Sequence, residues 1–150
     1  MTNLKAGDKA PAIDSVDQNG DKITLDQFKG KKIVLYFYPK DMTPGCTTQS
    51  CNLRDNYKAL MESGYVVLGC SADSPSRHIK FIEKYDLPFP LISDESKEVL
   101  NAYGVWGPKK FMGKEYDGIH RTTFVIDEKG VITDVITKVN TKDHTNQILS

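Results

Sequence analysis

The sequence predicts an α/β domain with helices packed on both faces of a mixed sheet. Three observations predict it. Two apolar runs, residues 32–38 and 65–71, read as buried strands. Each is followed by a stretch of helical periodicity. The chain then carries two strand-like segments around Glu128-Lys129-Gly130, as an antiparallel pair would. Strands alternating with helices, followed by such a pair, build a three-layer α/β/α sandwich.

Residues 13–25 read as a short N-terminal hairpin turning at Gln18-Asn19-Gly20-Asp21, because Asn-Gly readily adopts the positive φ of tight turns. Residues 32–38 are the first buried strand. Residues 44–63 read as one helix: Thr43 can N-cap it, Pro44 suits its first position, and Gly64 ends it. Its apolar stripe is Leu53, Tyr57, Leu60 and Met61, and the same spacing runs back through Ser50 to Cys46. Residues 65–71 are the second buried strand. Residues 75–85 form a helix with Ile79, Phe81 and Ile82 on its apolar side. Leu91-Ile92 is a short strand, and residues 95–103 another helix. Residues 104–118 show no clear period and read as a long loop, of the kind that tends to be functional or mobile. Residues 121–127 and 131–139 are the closing strand pair, and a short helix follows Thr141.

At 150 residues the chain suits one domain, residues 1–150, with a real core. Twenty basic residues balance twenty acidic ones, so the footprint of a nucleic-acid binder is lacking. No apolar run is long enough to span a membrane, and residues 1–5 carry no apolar signal core. The expectation is a soluble cytoplasmic protein. No Gly-x-Gly-x-x-Gly occurs, and neither Gly-Lys dipeptide is followed by Ser or Thr, which argues against dinucleotide and P-loop sites. His78, His120 and His144 lack metal-ligand spacing with the cysteines, so no metal or other cofactor is expected. Three cysteines are too few for a disulfide scaffold; in a reducing compartment they are catalytic, metal-binding or core residues.

The densest chemistry lies in Pro39-Lys40-Asp41-Met42-Thr43-Pro44-Gly45-Cys46, with Cys51 five residues on. Cys46 falls in the first turn of a helix, where positive potential favours thiolate, the reactive form. In a continuous helix, five residues rise about 7.5 Å and rotate about 140°. The two Cα atoms then stand roughly 8.7 Å apart on different faces, beyond the ~7 Å that a disulfide tolerates. Cys46 and Cys51 can bond only if the helix start unwinds, and Pro44-Gly45 makes that end weak. The alternative reading is two buried small hydrophobes. Cys70, inside the second strand, reads as an inert core residue, although it could be a second resolving thiol.

These residues resemble the peroxiredoxins, in particular the Q-type or bacterioferritin comigratory subfamily. Pro39, Thr43 and Cys46 fill the family's Pro-x-x-x-Thr-x-x-Cys, and Thr43 to Cys51 fills the subfamily's Thr-Pro-Gly-Cys-Thr-x-x-x-Cys. Arg121-Thr122-Thr123-Phe124 matches the family's Arg before a strand, and Tyr103-Gly104-Val105-Trp106 and Lys110-Phe111-Met112-Gly113-Lys114 are similar to the subfamily as well. The resemblance spans roughly residues 4–145. It implies a thioredoxin-like sandwich and a monomeric thiol peroxidase acting on hydrogen peroxide and organic hydroperoxides, with thioredoxin or a similar dithiol as reductant. It assigns Cys46 as the peroxidatic nucleophile and Cys51 as its resolving partner through a Cys46–Cys51 disulfide. Thr43 and Arg121 are implied as donors to the peroxide, Arg121 as activator of the thiol, Pro39 as a shield from water, and Gln49 as an orienting group.

Blander readings stand beside these. Thr43 could be an N-cap only, and Arg121 a solvated charge at a strand entrance. Trp106, Phe111 and Met112 could be loop core or a hydrophobic platform. Two other functions compete: a disulfide reductase or isomerase, which expects Cys-x-x-Cys, and a stoichiometric redox sensor using the same switch.

Overall fold

The computed structural model describes residues 2–150. An N-terminal hairpin, β1 (Asp14–Val16) and β2 (Lys22–Thr24), leads through a 3₁₀ turn at Leu25–Phe28 into β3 (Lys32–Phe37). Helices α1 (Pro44–Asp55) and α2 (Tyr57–Glu62) follow, then β4 (Tyr65–Ser71), α3 (Pro75–Tyr85), β5 (Leu91–Ser93) and α4 (Glu98–Ala102). A separate hairpin, β6 (Trp106–Phe111) and β7 (Lys114–Ile119), precedes β8 (Thr122–Ile126), β9 (Ile132–Ile136) and α5 (His144–Leu149). The main sheet has seven strands in the order β2-β1-β5-β4-β3-β8-β9. β3, β4 and β5 run parallel, while β8 lies antiparallel to β3, so the sheet is mixed as expected.

Both faces of the sheet are covered, because β3 is apolar from Ile33 to Phe37 and its side chains alternate. Ile33, Leu35 and Phe37 pack with Val99, Leu100 and Tyr103 of the α4 region. Val34, Tyr36 and Tyr38 pack on the other face with Cys46 and Leu53 of α1, Leu60 of α2, Phe81 of α3 and Ile148 of α5. Gly69 makes the second face possible: a Cβ there would lie 2.9 Å from the Tyr36 ring and 2.6 Å from Leu91 Cδ2. The Tyr36 hydroxyl then meets Ser50 Oγ at 2.9 Å, tying β3 to α1 in the buried layer.

Four expectations are corrected. Residues 44–63 are two helices, broken at Asn56, whose amide donates to the Asn52 carbonyl at 2.8 Å. Asparagine competes in this way with the backbone for helix hydrogen bonds. The break turns Met61 outward, 55% exposed, while Leu53 and Leu60 stay buried. The fourth helix begins at Glu98 rather than residue 95, after Lys97 turns left-handed at φ 67°. Residues 106–119 are a hairpin rather than a loop. On α3 the buried pair is His78 and Phe81, and Ile79 and Ile82 are only half-buried.

Candidate active site

β3 and β8 explain how residues far apart in sequence meet. Phe37, the last residue of β3, lies opposite Thr122, the first of β8. Arg121 therefore enters the sheet beside the point where the chain leaves β3 for α1. Its guanidinium reaches the helix start: Nη2 donates to Cys46 Sγ at 3.3 Å, and Nη1 donates to Gln49 Oε1 at 2.5 Å. Cys46 and Gln49 stand one turn apart on one helix face, which lets a planar fork engage both. Gly45 leaves the room, since a Cβ there would lie 3.2 Å from Nη2. Cys46 is 1% exposed and lies in the first turn of α1, which carries no acidic residue. The helix's unpaired N–H groups and the guanidinium thus present positive charge to one sulfur. Gln49 is buried and its Nε2 has no hydrogen-bond partner among the described residues.

Thr43 occupies the N-cap position with extended backbone, but its side chain does not cap the helix. The hydroxyl donates instead to the Lys40 carbonyl at 2.8 Å, closing the turn before the helix, while the Thr43 carbonyl accepts from Thr47 N–H at 2.9 Å. The N-cap reading of the Thr43 hydroxyl is therefore corrected. Pro39 is half-buried and lines a groove of about 380 Å³ with Trp106, Lys109, Tyr116 and Ile119. Lys109 donates to the Ile119 carbonyl at 2.8 Å. Burial first, and the Arg121 charge second, hold its ammonium below the ordinary lysine range, while Cys46 pulls the other way. Lys109 was missed in the sequence because its segment read as a loop. Trp106 packs against the core, whereas Phe111 and Met112 at the hairpin tip are 66% and 87% exposed.

Cys51 is not brought to the Arg121 cluster. It is half-buried and lines a shallow pocket with Thr47, Thr48, Asn52, Asp55 and Lys142. All three cysteines are free thiols. Burial pushes the Cys51 thiol up from its ordinary value, with Arg54 pulling it down and Asp55 adding to the rise. Beside it, Asn52 holds α5: its Oδ1 accepts from Thr145 N–H and Thr145 Oγ1, each at 2.8 Å, and its Nδ2 donates to the Lys142 carbonyl at 3.0 Å. Cys70 is fully buried opposite Phe37, and burial pushes its thiol well up, as a core residue requires.

The AhpC/TSA family model matches residues 6–135. The chain is 49% identical over 150 residues to peroxiredoxin Bcp of Escherichia coli (strain K12), covering 100% of this chain and 96% of the relative. It is 46% identical over 146 residues to peroxiredoxin Bcp of Bacillus subtilis (strain 168), covering 97% and 93%. A solved structure of Xanthomonas campestris peroxiredoxin Q is similar at a TM-score of 0.88 and 33% identity, covering 97% of this chain and 95% of that one. Those structures share the thioredoxin-like α/β fold described above. With its cysteine at a positive helix start and this likeness over the full length, the chain belongs to the AhpC/TSA family, among the Bcp and Q-type peroxiredoxins, which are thiol peroxidases.

Proposed function

We propose that Cys46 is the peroxidatic nucleophile and Cys51 its resolving thiol, in an enzyme that reduces hydrogen peroxide and organic hydroperoxides and is recycled by thioredoxin or a similar dithiol. The observation that carries this reading is the 3.3 Å contact from Arg121 to the sulfur of Cys46 at the start of α1. The Cys46 thiolate attacks the terminal peroxide oxygen. The O–O bond breaks, an S–O bond forms, and the departing oxygen leaves with a proton as water or alcohol, giving a sulfenic acid. Negative charge moves from sulfur to that leaving oxygen, so fixed donors at the site lower the barrier. Arg121 and the helix-start N–H groups are those donors, and the Thr43 hydroxyl joins them when it turns from the Lys40 carbonyl to the peroxide. Pro39, with no N–H of its own, shields the sulfur, and Gln49 orients Arg121 through its bond to Nη1. Cys51 then attacks the sulfenic sulfur, releasing water and forming the Cys46–Cys51 disulfide. The dithiol reduces that bond and becomes a disulfide itself.

Organic hydroperoxides are included because the Xanthomonas campestris bacterioferritin comigratory protein, of the same fold, has alkyl peroxide reduction activity. Three free thiols suit a reducing compartment, so we read a cytoplasmic enzyme; that it acts as a monomer is what the resemblance to the Q-type subfamily implies. Among the described residues no helix is long and apolar enough to cross a membrane.

Arg121→Ala tests the site. The permanent charge is lost, and oxidation of Cys46 by peroxide slows about 10²-fold. Thiolate absorbance against pH and single-turnover oxidation measure it; an unchanged titration with an unchanged rate returns Arg121 to a surface charge.

The resolving step carries its own pH dependence. In the wound helix the Cys51 thiol is held above its ordinary value of 9.0 by burial. Unwinding hydrates it and lets the value fall. A group raised in the folded state contributes stability below its unfolded value, and loses it as pH rises toward the folded one. The α1 segment therefore opens more readily from about pH 9 upward, and disulfide formation quickens with it. Stopped-flow measurement of that step across pH checks it; a rate falling over this range contradicts it.

A further inference from the structure

A second buried cluster stands behind the active-site loop, and the chemistry above leaves it without a task. Asp41 and His78 pair at 2.6 Å between Oδ2 and Nδ1, with both side chains 0% exposed. His78 Nε2 meets the Ile92 carbonyl at 3.0 Å. A carbonyl only accepts, so Nε2 carries a hydrogen, and a further hydrogen lies between Nδ1 and Oδ2. The other Asp41 oxygen accepts from the Tyr38 hydroxyl at 2.5 Å. Burial and the Asp41 charge hold that phenol well above its ordinary pKa, so it stays a donor. The Asp41 backbone N–H donates to Asp73 Oδ2 at 2.9 Å, and Asp73 is fixed in turn by Ser71 and Arg77. Asp41, Asp73 and His78 bring their polar atoms within 4.8 Å of one another, and each is bonded inside the protein.

All of this converges on the middle of the loop that joins β3 to α1. Pro39 and Thr43 flank Asp41 there, and Met42 beside it is left-handed at φ 69°. A methionine in that region is strained and persists only where surrounding contacts over-determine it. The loop is thus pulled into an unfavourable shape and clamped at Asp41 by Tyr38 just past β3, by Asp73 just before α3 and by His78 of α3, itself held on the Ile92 carbonyl of β5. α1 starts at the next residue after Thr43.

We propose that His78 is a positioning residue for the peroxide reaction: through Asp41 it latches the loop of residues 39–43, holding Pro39 and Thr43 in place and α1 wound. The latch rests on the reading of Cys46 as nucleophile and Thr43 as donor. Releasing it acts in opposite directions on the two half-reactions. The attack on peroxide needs the ordered loop and slows. The disulfide needs an unwound helix start and forms faster. A residue that only supports the fold does not split the steps in this way.

The experiment compares wild type, His78→Leu and His78→Asn, each as the full chain with its fold checked by circular dichroism. Leu fills much of the space and makes neither hydrogen bond. Asn returns an N–H close to where Nδ1–H stands. Stopped-flow tryptophan fluorescence follows Cys46 oxidation by hydrogen peroxide and then disulfide formation. In His78→Leu the oxidation slows about 10- to 100-fold and disulfide formation quickens at least about threefold, and His78→Asn recovers most of both. If His78→Leu does not fold, His78→Ala, which likewise makes neither hydrogen bond, must show the same opposed shifts. Unchanged oxidation in these variants overturns the latch, and so do two steps that slow together with no rescue by Asn. A wild type that forms no Cys46–Cys51 disulfide refutes the resolving step instead, and the oxidation comparison alone then decides the latch.

Discussion

Cys46→Ser abolishes peroxide turnover, with a loss on the order of 10⁴-fold or more, while the fold is kept. The magnitude is what removal of a covalent nucleophile costs when the rest of the site remains. The substitution replaces sulfur by oxygen in a position that is 1% exposed and faces Arg121. The hydroxyl can still accept from Nη2, so stability changes by no more than about 1 kcal/mol. A serine does not ionise at neutral pH and makes no sulfenic acid. Peroxide consumption with a complete thioredoxin system measures the loss, and circular dichroism with urea titration measures the fold. Turnover near that of wild type moves the nucleophile elsewhere in the chain, with Cys51 the more exposed remaining thiol.

Cys51→Ser separates the two halves of the cycle. Oxidation of Cys46 requires nothing from Cys51, which lies outside the Arg121 cluster, so one equivalent of peroxide is still consumed at close to the wild-type rate. The sulfenic acid then has no partner. It is trapped by a dimedone-type reagent, and excess peroxide drives it to the sulfinic acid. Turnover supported by thioredoxin falls on the order of 10²-fold or more, because reduction now waits on direct attack by an external thiol on a buried sulfur. Mass spectrometry of the trapped adduct and a steady-state assay read the two halves. Full turnover in this variant removes Cys51 from the cycle and leaves Cys70, fully buried with its thiol pushed well up, as the next thiol to examine.

The parts of the fold that were legible in the sequence are those where one local signal dominates. β3 and β4 are mostly apolar runs and so read as buried strands; their parallel pairing, from Lys32 opposite Tyr65 to Phe37 opposite Cys70, is set by the tertiary fold. The hairpin β6–β7 was illegible because most of it is exposed: Pro108, Lys110 and residues 111–117 face solvent and leave no apolar alternation to read. Asn56 splits a helix that periodicity alone carries through to residue 63, since one side-chain bond to Asn52 outweighs a weak propensity. The site divides along similar lines. Thr43, Cys46 and Cys51 sit in one local motif, and Arg121 sits at a recognisable strand entrance. The bond from Thr43 to Lys40 and the hold of Arg121 on Gln49 need the loop and the β3–β8 register before they exist. His78 read as one polar residue on a helix. Its pairing with Asp41 depends on three segments meeting behind β3, β4 and β5, which no local pattern announces.

The central claim is that a sulfenic acid on Cys46 is handed to Cys51 by unwinding of α1. The most direct test treats the reduced protein with one equivalent of hydrogen peroxide, blocks free thiols, and maps disulfides by peptide mass spectrometry. The account predicts an intact mass lower by two hydrogens, a single Cys46–Cys51 linkage and a free Cys70. A linkage through Cys70, or an oxidised Cys46 that stays unlinked with Cys51 still free, contradicts it.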